Sequence, residues 1–116
     1  MAERKRSVAT LDDSITRENP HGIHRTTLAY NEETMLCHFR MKTGAAIPLH
    51  EHVAVQNGYL ISGRVRFKFA DGSEFIAEPG TSYAFDSHQQ HGAEVLEDSE
   101  VIEVFSPMRP EYADAQ

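Results

Sequence analysis

Apolar and polar residues alternate in short runs over most of the 116-residue chain. From Arg64 to Phe69 every second residue is apolar, and Asp71-Gly72, a strong hairpin signal, follows this run. The segments "TMLCHFRMK" and "HGAEVLEDSEVIEVFSP" continue the pattern, and we interpret the second one as two strands joined at residues 97–99. No window places apolar residues at helical spacing over three turns. The pattern therefore predicts an all-β sandwich or barrel.

The pattern of apolar and polar residues changes along the sequence and divides the chain into three parts. Residues 1–20 are polar and end at Asn19-Pro20, so we expect a flexible N-terminal arm there. The alternation covers residues 21–109, which we predict to be one β-barrel domain. Residues 110–116 begin at Pro110, shortly after Pro107, and are predicted to be an irregular tail. A chain of this length suits one domain rather than two.

Charge and composition limit the kinds of molecule that the protein is expected to bind and the compartment in which we expect it. The formal net charge of −7 argues against binding to nucleic acid or to an anionic membrane surface. No run approaches the roughly 18 apolar residues that span a bilayer, and the basic N-terminus lacks the apolar core of a secretory signal. We therefore expect a cytoplasmic protein. The single cysteine, Cys37, excludes an intrachain disulfide and is interpreted as a small core residue.

Polar side chains interrupt the segment "PLHEHVAVQNGYLISG", which otherwise reads as a β-strand that Gly63 closes. His50, His52 and Gln56 stand at even offsets, and residues at even offsets in a strand share one face. Two imidazoles on one face can converge on a metal ion, and Gln56 offers a carbonyl oxygen. Imidazole nitrogen suits Zn, Ni, Cu and Fe, whereas amide oxygen suits harder ions such as Mn.

A metal site needs further ligands, and the segment "DSHQQHG" offers His88 and His91 after an apolar strand. Three or four protein ligands would then be available to one ion. A pair of histidines two residues apart is also found on the partly exposed polar face of a one-sided sheet. The residue types alone leave both interpretations open.

The spacing of these residues resembles the motifs of the cupin superfamily. The first cupin motif is G-x5-H-x-H-x3–4-E-x6-G, and here glutamine replaces the usual glutamate. The second, G-x5-P-x-G-x2-H-x3-N, is degenerate in this chain. The matching residues are Gly44, His50, His52 and Gly63 of the first motif and Gly80 and His91 of the second, with Gln56 as the exception in the first.

The resemblance implies a small single-domain double-stranded β-helix, or jelly roll, with one divalent metal ion inside. It implies His50, His52, Gln56 and His91 as the ligands. Because these four side chains are neutral, the ion (Zn, Ni, Mn or Fe) would keep its full charge and act as a strong Lewis acid. An open coordination position for water or substrate is expected.

Two longer segments, "HEHVAVQNGYLISGRV" and "HGAEVLEDSEVIEVFSPMRPEY", resemble the small cupins of pectin and alginate breakdown. Those proteins promote the conversion of 4,5-unsaturated uronates to linear keto sugars. Their terminal pattern, D-x-F-x3-R, corresponds to Glu103, Phe105 and Arg109, with Glu103 in place of the aspartate. The resemblance implies a non-redox metalloenzyme, with isomerase-like or lyase-like activity on a small acidic sugar.

Within this interpretation five side chains serve the substrate. Arg109 would grip the sugar carboxylate in a bidentate fork, and Glu103 would be the catalytic acid or base. Phe105 lies two residues from Glu103, so both would face inward. Tyr59 and His38 are further candidates for lining the binding pocket.

Two functions from other classes stay open. A three-histidine site also suits an Fe(II)-dependent cupin dioxygenase, and a non-catalytic cupin could bind or sense a small molecule. The net charge of −7 would repel an acidic sugar at long range unless the pocket is locally positive. From the family resemblance we also expect a homodimer, in which the arm before Gly22 adds a strand to the neighbouring subunit.

Overall fold

The computed structural model of the protein describes residues 4–114. The extreme ends of the predicted arm and tail, residues 1–3 and 115–116, lie outside the described residues. The described part of the chain forms eight strands and one 3₁₀ helix, Pro110–Tyr112. The strands are β1 (Thr16–Glu18), β2 (Ile23–Tyr30), β3 (Met35–Met41), β4 (Ala46–His50), β5 (Val55–Phe69), β6 (Glu74–Ala77), β7 (Ser82–Phe85) and β8 (His91–Ser106).

All strand pairs are antiparallel, and the two longest strands, β5 and β8, run through both halves of the molecule. At one end of β8 the order of strands is β1-β2-β3-β8-β5-β7, and at its other end β4-β8-β5-β6. Because β5 and β8 bend between these two halves, the sheet folds over on itself and encloses an interior. This arrangement is a single-domain jelly roll and confirms the all-β prediction.

The core lies between the two halves and is built from alternate residues of the long strands. On β8 the inward side chains are Val101, Glu103 and Phe105, all buried. On β5, Leu60, Val65 and Phe67 are buried in the same way, and β3 adds further apolar side chains, among them Cys37 and Phe39. The alternation read from the sequence therefore places the correct faces inward for β3 and for residues 64–69 of β5. Glu103 is a charged residue among these apolar neighbours.

Gly63 lies inside β5 and does not close it, and β8 runs without interruption through residues 97–99. Both sequence interpretations at this corner are therefore wrong. The register between the strands shifts around Ser62 and Arg64, where Gly63 has a φ of 95°. A Cβ on Gly63 would lie 2.1 Å from Oγ of Ser99, which accepts a hydrogen bond from the Arg64 amide. Matched irregularities on both strands let the sheet bend while its pairing continues.

The segment predicted to be a flexible arm contains ordered contacts with the barrel. Thr16–Glu18 pairs with β2, and Arg6 and Tyr30 exchange two backbone hydrogen bonds of 2.8 and 2.9 Å. Oγ1 of Thr16 also lies 2.6 Å from Oγ1 of Thr26. Residues 16–18 are therefore an edge strand, which corrects the prediction of flexibility there. The domain boundaries themselves stay predictions.

The predicted irregular tail is fixed to the barrel by buried polar contacts. Oγ1 of Thr27 donates to the carbonyl of Tyr112 at 2.7 Å, and Nη1 of Arg25 donates to Oδ2 of Asp114 at 2.9 Å. The 3₁₀ helix Pro110–Tyr112 is thereby held against β2. Between residues 4 and 114 there is no helix with the length and apolar character needed to cross a membrane.

Candidate metal centre

Three histidines come together at one end of the barrel. His50 is the last residue of β4 and lies opposite His91, the first residue of β8. His52 lies in the loop between β4 and β5, so the prediction that His50, His52 and Gln56 share one strand is wrong. The ring centroids of His50 and His91 are 4.4 Å apart, and those of His52 and His91 are 5.1 Å apart. One ligand atom from each ring lies within 4.8 Å of the others, a spacing that could hold a metal ion.

The hydrogen bonds of the three rings select the tautomer that a metal requires. In each ring Nδ1 faces a backbone carbonyl two residues away: His50 faces Pro48 at 3.0 Å, and His52 and His91 face Ala54 and Gln89 at 2.7 Å. A carbonyl can only accept, so Nδ1 carries the hydrogen and Nε2 presents a lone pair. Outer hydrogen bonds of this kind orient metal-bound histidines. Nε2 of His91 is buried and has no hydrogen-bond partner among the described residues.

Burial and nearby charges favour the neutral form of His91 and His52. Burial lowers the pKa of His91 to about 4, and the charges of neighbouring side chains act in the same direction, against the hydrogen bond to Gln89. Burial also lowers the pKa of His52, with the positive charge of Arg109 acting in the same direction. Both imidazoles are therefore unprotonated near pH 7. That is the protonation state in which imidazole binds a metal.

Gln56 offers a fourth donor to the same cluster from β5. Its Oε1 lies 3.0 Å from Nε2 of His52. In the tautomer described above both atoms are acceptors, so a cation between them would satisfy two lone pairs that otherwise face each other. A separation of about 3 Å is also common for neighbouring ligands whose bonds to one ion are near 2.1 Å. The residues present therefore fit a metal ion bound by three histidines and one amide.

A buried carboxylate adjoins this cluster. Oε2 of Glu103 accepts hydrogen bonds from Nε2 of Gln56 at 2.7 Å and from the hydroxyl of Tyr83 at 2.6 Å. Burial raises the pKa of Glu103, and the two hydrogen bonds oppose that shift. Burial also raises the pKa of Tyr83, and the nearby carboxylate adds to the effect. Tyr83 was not identified from the sequence. Alternation in the segment "SYAF" (residues 82–85) indicates that Tyr83 faces inward, but it does not indicate which residue Tyr83 contacts.

An arginine with an unused donor forms another part of the wall. The guanidinium of Arg109 lies 4.1 Å from the ring centre of Tyr112 and 5.1 Å from that of Phe105. Its Nε is buried without a hydrogen-bond partner among the described residues, and Nη2 is 3.7 Å from Oε2 of the exposed Glu111. The two aromatic faces hold the cation in place. Tyr112 is a second residue that the sequence did not reveal.

The cavity between these groups has a volume of about 90 Å³. Apolar side chains of β3, β5 and β8 line most of it, and polar groups lie at defined positions on its wall. Drug-sized ligands generally occupy roughly 300–1,000 Å³, so this interior is small and suits a compact ligand beside the candidate metal ligands. The polar residues that line it are Asn19, His50, Gln56, Tyr83, His91, Glu103, Arg109 and Tyr112.

Two residues predicted to line the pocket lie elsewhere. Tyr59 is 49% exposed on the outer face of β5. Side chains alternate along the strand, and the neighbouring positions 58 and 60 lie on the buried face. His38 is buried on the opposite face of β3 from Cys37 and Phe39, and its Nε2 lies 2.6 Å from Oε2 of Glu100. Both predictions are therefore corrected. The structure does bring together the three histidines, the amide and the terminal residues Glu103, Phe105 and Arg109 in one cavity region.

Comparison with known proteins identifies the family. Residues 37–106, more than half of the chain, match the family described as "Cupin domain". The protein is therefore a member of the cupin family, which confirms the resemblance found in the sequence.

Individual relatives agree with this assignment. L-ectoine synthase of Teredinibacter turnerae is 30% identical over 86 residues, which cover 71% of this chain and 65% of that protein. This chain thus spans just under two thirds of that relative. A crystal structure of an RmlC-like cupin from Shewanella frigidimarina superposes with a TM-score of 0.86 at 24% identity, covering 94% of this chain and 98% of that one. KdgF from Halomonas sp. superposes with a TM-score of 0.82 at 30% identity, covering 90% and 98%.

Proposed function

We propose that the protein is a metal-dependent, non-redox enzyme that promotes ring opening and tautomerisation of a 4,5-unsaturated uronate or a similar small acidic sugar. The observation that carries this proposal is the composition of one cavity wall. A neutral cluster of metal-ligand type, a single carboxylate and an arginine with an unused donor line the same interior of the described chain. These are the groups that such a reaction needs.

The cluster supplies the Lewis acid. A divalent ion (Zn, Ni, Mn or Fe) held by His50, His52, Gln56 and His91 would polarise a hydroxyl or carbonyl oxygen of the sugar. The carbonyl contacts of the three Nδ1 atoms keep the rings oriented before the ion arrives. Little reorganisation is then needed on binding.

Arg109 binds the substrate carboxylate in this proposal. Its guanidinium is held by two aromatic rings, and its buried Nε has no competing acceptor among the described residues. A carboxylate arriving beside it would satisfy that donor in a charge-assisted hydrogen bond. The positive charge of Arg109 also opposes the repulsion that the net charge of −7 exerts on an acidic sugar.

Glu103 moves the proton. Among the described residues that line the cavity it is the only carboxylate. Ring opening of the sugar gives an aldehyde at C1 and an enol at C5, and the enol becomes a ketone when C4 gains a proton and the enol oxygen loses one. The product is an isomer of the substrate, so no oxidant or reductant enters. A carboxyl whose pKa is raised by burial is suited to such a transfer.

The comparisons support an enzymatic role of this kind. The similarity to KdgF covers nearly the whole of both chains at 30% identity, and L-ectoine synthase shows that an enzyme is among the relatives. The homodimer and the cytoplasmic location expected from the sequence stay predictions.

The test follows the ultraviolet absorbance of the conjugated double bond of 4,5-unsaturated galacturonate. Protein loaded with a divalent metal should remove this absorbance faster than buffer does, without consuming oxygen. His91→Ala should abolish the effect. His88→Asn is the matched control, because His88 is exposed, has a φ of 61° that asparagine tolerates, and lies outside the cluster.

Other outcomes distinguish the alternatives. Oxygen uptake that requires Fe(II) would favour a dioxygenase. Binding of the sugar without turnover, equal in metal-free protein, would favour a non-catalytic binder. Glu103→Gln should retain metal but lose roughly 100-fold or more in turnover, a loss typical of removing an acid–base group. Full activity of that variant would remove Glu103 from the mechanism.

A further inference from the structure

The amide of Gln56 has one end that can bind a metal and one end that cannot. Its carbonyl oxygen carries lone pairs, whereas its NH₂ group only donates. Gln56 is therefore a ligand only if Oε1 faces the histidine cluster. Some other contact must set this orientation, because the two ends of an amide have nearly the same shape.

Glu103 supplies that contact. Nε2 of Gln56 donates to Oε2 of Glu103 at 2.7 Å, and this leaves Oε1 at 3.0 Å from Nε2 of His52. Rotating the amide by half a turn would place its oxygen against the Glu103 oxygen. It would also turn the NH₂ group towards the cluster. The acceptor at Glu103 thus disfavours the orientation in which Gln56 cannot bind a metal.

Tyr83 in turn fixes Glu103. Its hydroxyl donates to the same Oε2 at 2.6 Å, a length typical of a charge-assisted hydrogen bond. Glu103 is 8% exposed and Tyr83 is also 8% exposed, so water competes little for either partner. Glu103 therefore has one buried position from which it accepts from Gln56.

The sheet makes room for this contact at Gly58. Gly58 on β5 lies opposite Tyr83 of β7 on one side and opposite Glu103 of β8 on the other. A Cβ at Gly58 would lie 2.2 Å from the Tyr83 ring and 2.4 Å from its hydroxyl. The tyrosine therefore crosses the central strand over a residue without a side chain and reaches Glu103 two strands away.

We propose that Glu103 and Tyr83 are positioning residues for the metal site: they fix the Gln56 amide with its carbonyl oxygen towards the three histidines. The inference rests on the metal site of the proposed function but not on the sugar chemistry. It adds a role for Glu103 that depends on its oxygen atom and not on its ability to transfer a proton.

Replacement of Glu103 by residues with and without that oxygen separates the two roles. Co(II) is the probe, since its visible absorption spectrum reports the ligand set, and its affinity is measured by titration. Glu103→Leu should weaken Co(II) binding about 10–100-fold and change the spectrum, as is typical when an outer partner of a ligand is removed. Glu103→Gln should keep most of the affinity, because its carbonyl oxygen can accept from both Tyr83 and Gln56. Glu100→Leu is the control on the outer face of the same strand.

Two further variants test the same contact without changing Glu103. Tyr83→Phe removes only the hydroxyl and should weaken Co(II) binding by less than Glu103→Leu does. Gly58→Ala should displace the tyrosine ring and shift the Co(II) spectrum in the same direction. These variants decide the question if Glu103→Leu does not fold.

The outcomes are distinguishable from failure of the proposed function. If the unmodified protein binds no Co(II), the metal site and this inference both fall. If it binds Co(II), but Glu103→Leu and Tyr83→Phe keep its affinity and spectrum, only the positioning role is overturned. An equal loss in Glu103→Gln and Glu103→Leu would also overturn it. Absence of sugar turnover with the expected order of affinities would leave the positioning role standing.

Discussion

At the scale of single residues, backbone carbonyls prepare the histidines for a metal. Each carbonyl that fixes an Nδ1 atom lies only two positions away in the sequence, at Pro48, Ala54 and Gln89. The backbone next to each histidine therefore determines its tautomer. Packing between distant segments determines only how close the three rings lie to one another. A spacing motif can reveal the candidate ligands because their positions in the sequence can be counted. It cannot show the tautomer, since that depends on where each carbonyl points.

Tyr83, one of the residues that the sequence missed, contacts Glu103 across the sheet. Tyr83 and Glu103 are 20 positions apart and meet only because Gly58 separates them in the sheet. From the sequence, Tyr59 is a candidate for lining the pocket, yet the side-chain alternation of β5 turns it outward. Alternation counted from Gln56 gives the correct face, since residues at odd offsets point away from it.

Cys37 provides a prediction at this scale. Its side chain is fully buried, and burial raises the pKa of the thiol to about 12. At pH 8 the native protein should react with a thiol reagent at least about a thousandfold more slowly than the unfolded chain, because only the thiolate attacks. Absorbance of the released thiolate from Ellman's reagent measures both rates. One thiol should react in guanidinium chloride and none in a Cys37→Ala variant; fast reaction of the folded protein would show that Cys37 is accessible.

At the scale of strands, pairing decides boundaries that alternation does not. The alternation predicted the strand type and the inward faces of β3 and of the second half of β5. It divided β8 at residues 97–99 and ended a strand at Gly63, because turn-like residues stand at both places. In the structure these residues form the corner where β5 and β8 bend together. A residue typical of a turn and a residue that permits a bend look the same until the partner strand is known.

Two glycines with similar backbone angles test this interpretation of the corner. Gly63 has a φ of 95° and no space for a side chain, whereas Gly72 has a φ of 88° and no atom within 4 Å of the position that a Cβ would occupy. Gly72→Ala should cost about 1–2 kcal/mol, the strain of a left-handed residue. Gly63→Ala should cost roughly 1–3 kcal/mol more, because the methyl group meets Ser99. Urea unfolding measures the free energy of unfolding of both variants. Equal losses of stability would mean that the backbone around Gly63 can move to accommodate a methyl group.

At the scale of the whole molecule, both ends of the described chain complete the barrel. Asn19 and Pro20, from the predicted arm, line the cavity together with Tyr112, from the predicted tail. The polar composition of residues 1–20 predicts a flexible arm, and the prolines near residue 110 predict an irregular tail. In the structure β1 pairs with β2 through its backbone, and ion pairs hold the C-terminal segment. The pattern of apolar residues does not reveal such contacts. The sequence therefore predicts the strands of the barrel better than the terminal segments that close it.

The ion pair at Asp114 gives the prediction for the whole molecule. Its side chain is 5% exposed and accepts from Arg25, which is 9% exposed, and from Arg17. Asp114→Ala would leave the Arg25 cation buried and unpaired, so we expect a loss of about 3 kcal/mol. Because the pair holds the segment that carries Tyr112, amide hydrogen exchange should rise first at residues 111–113.

A surface ion pair supplies the comparison for that variant. Glu32 lies 3.7 Å from Arg4 with 64% of its side chain exposed, and Glu32→Gln should change stability by less than about 1 kcal/mol. If Asp114→Ala behaves like Glu32→Gln, the C-terminal segment is held by its apolar contacts alone. If instead exchange rises at residues 111–113 while β5 and β8 stay protected, the segment opens as a separate unit. Arg109 would then lose the Tyr112 ring that supports it, so substrate affinity should fall in the same variant while metal affinity stays unchanged.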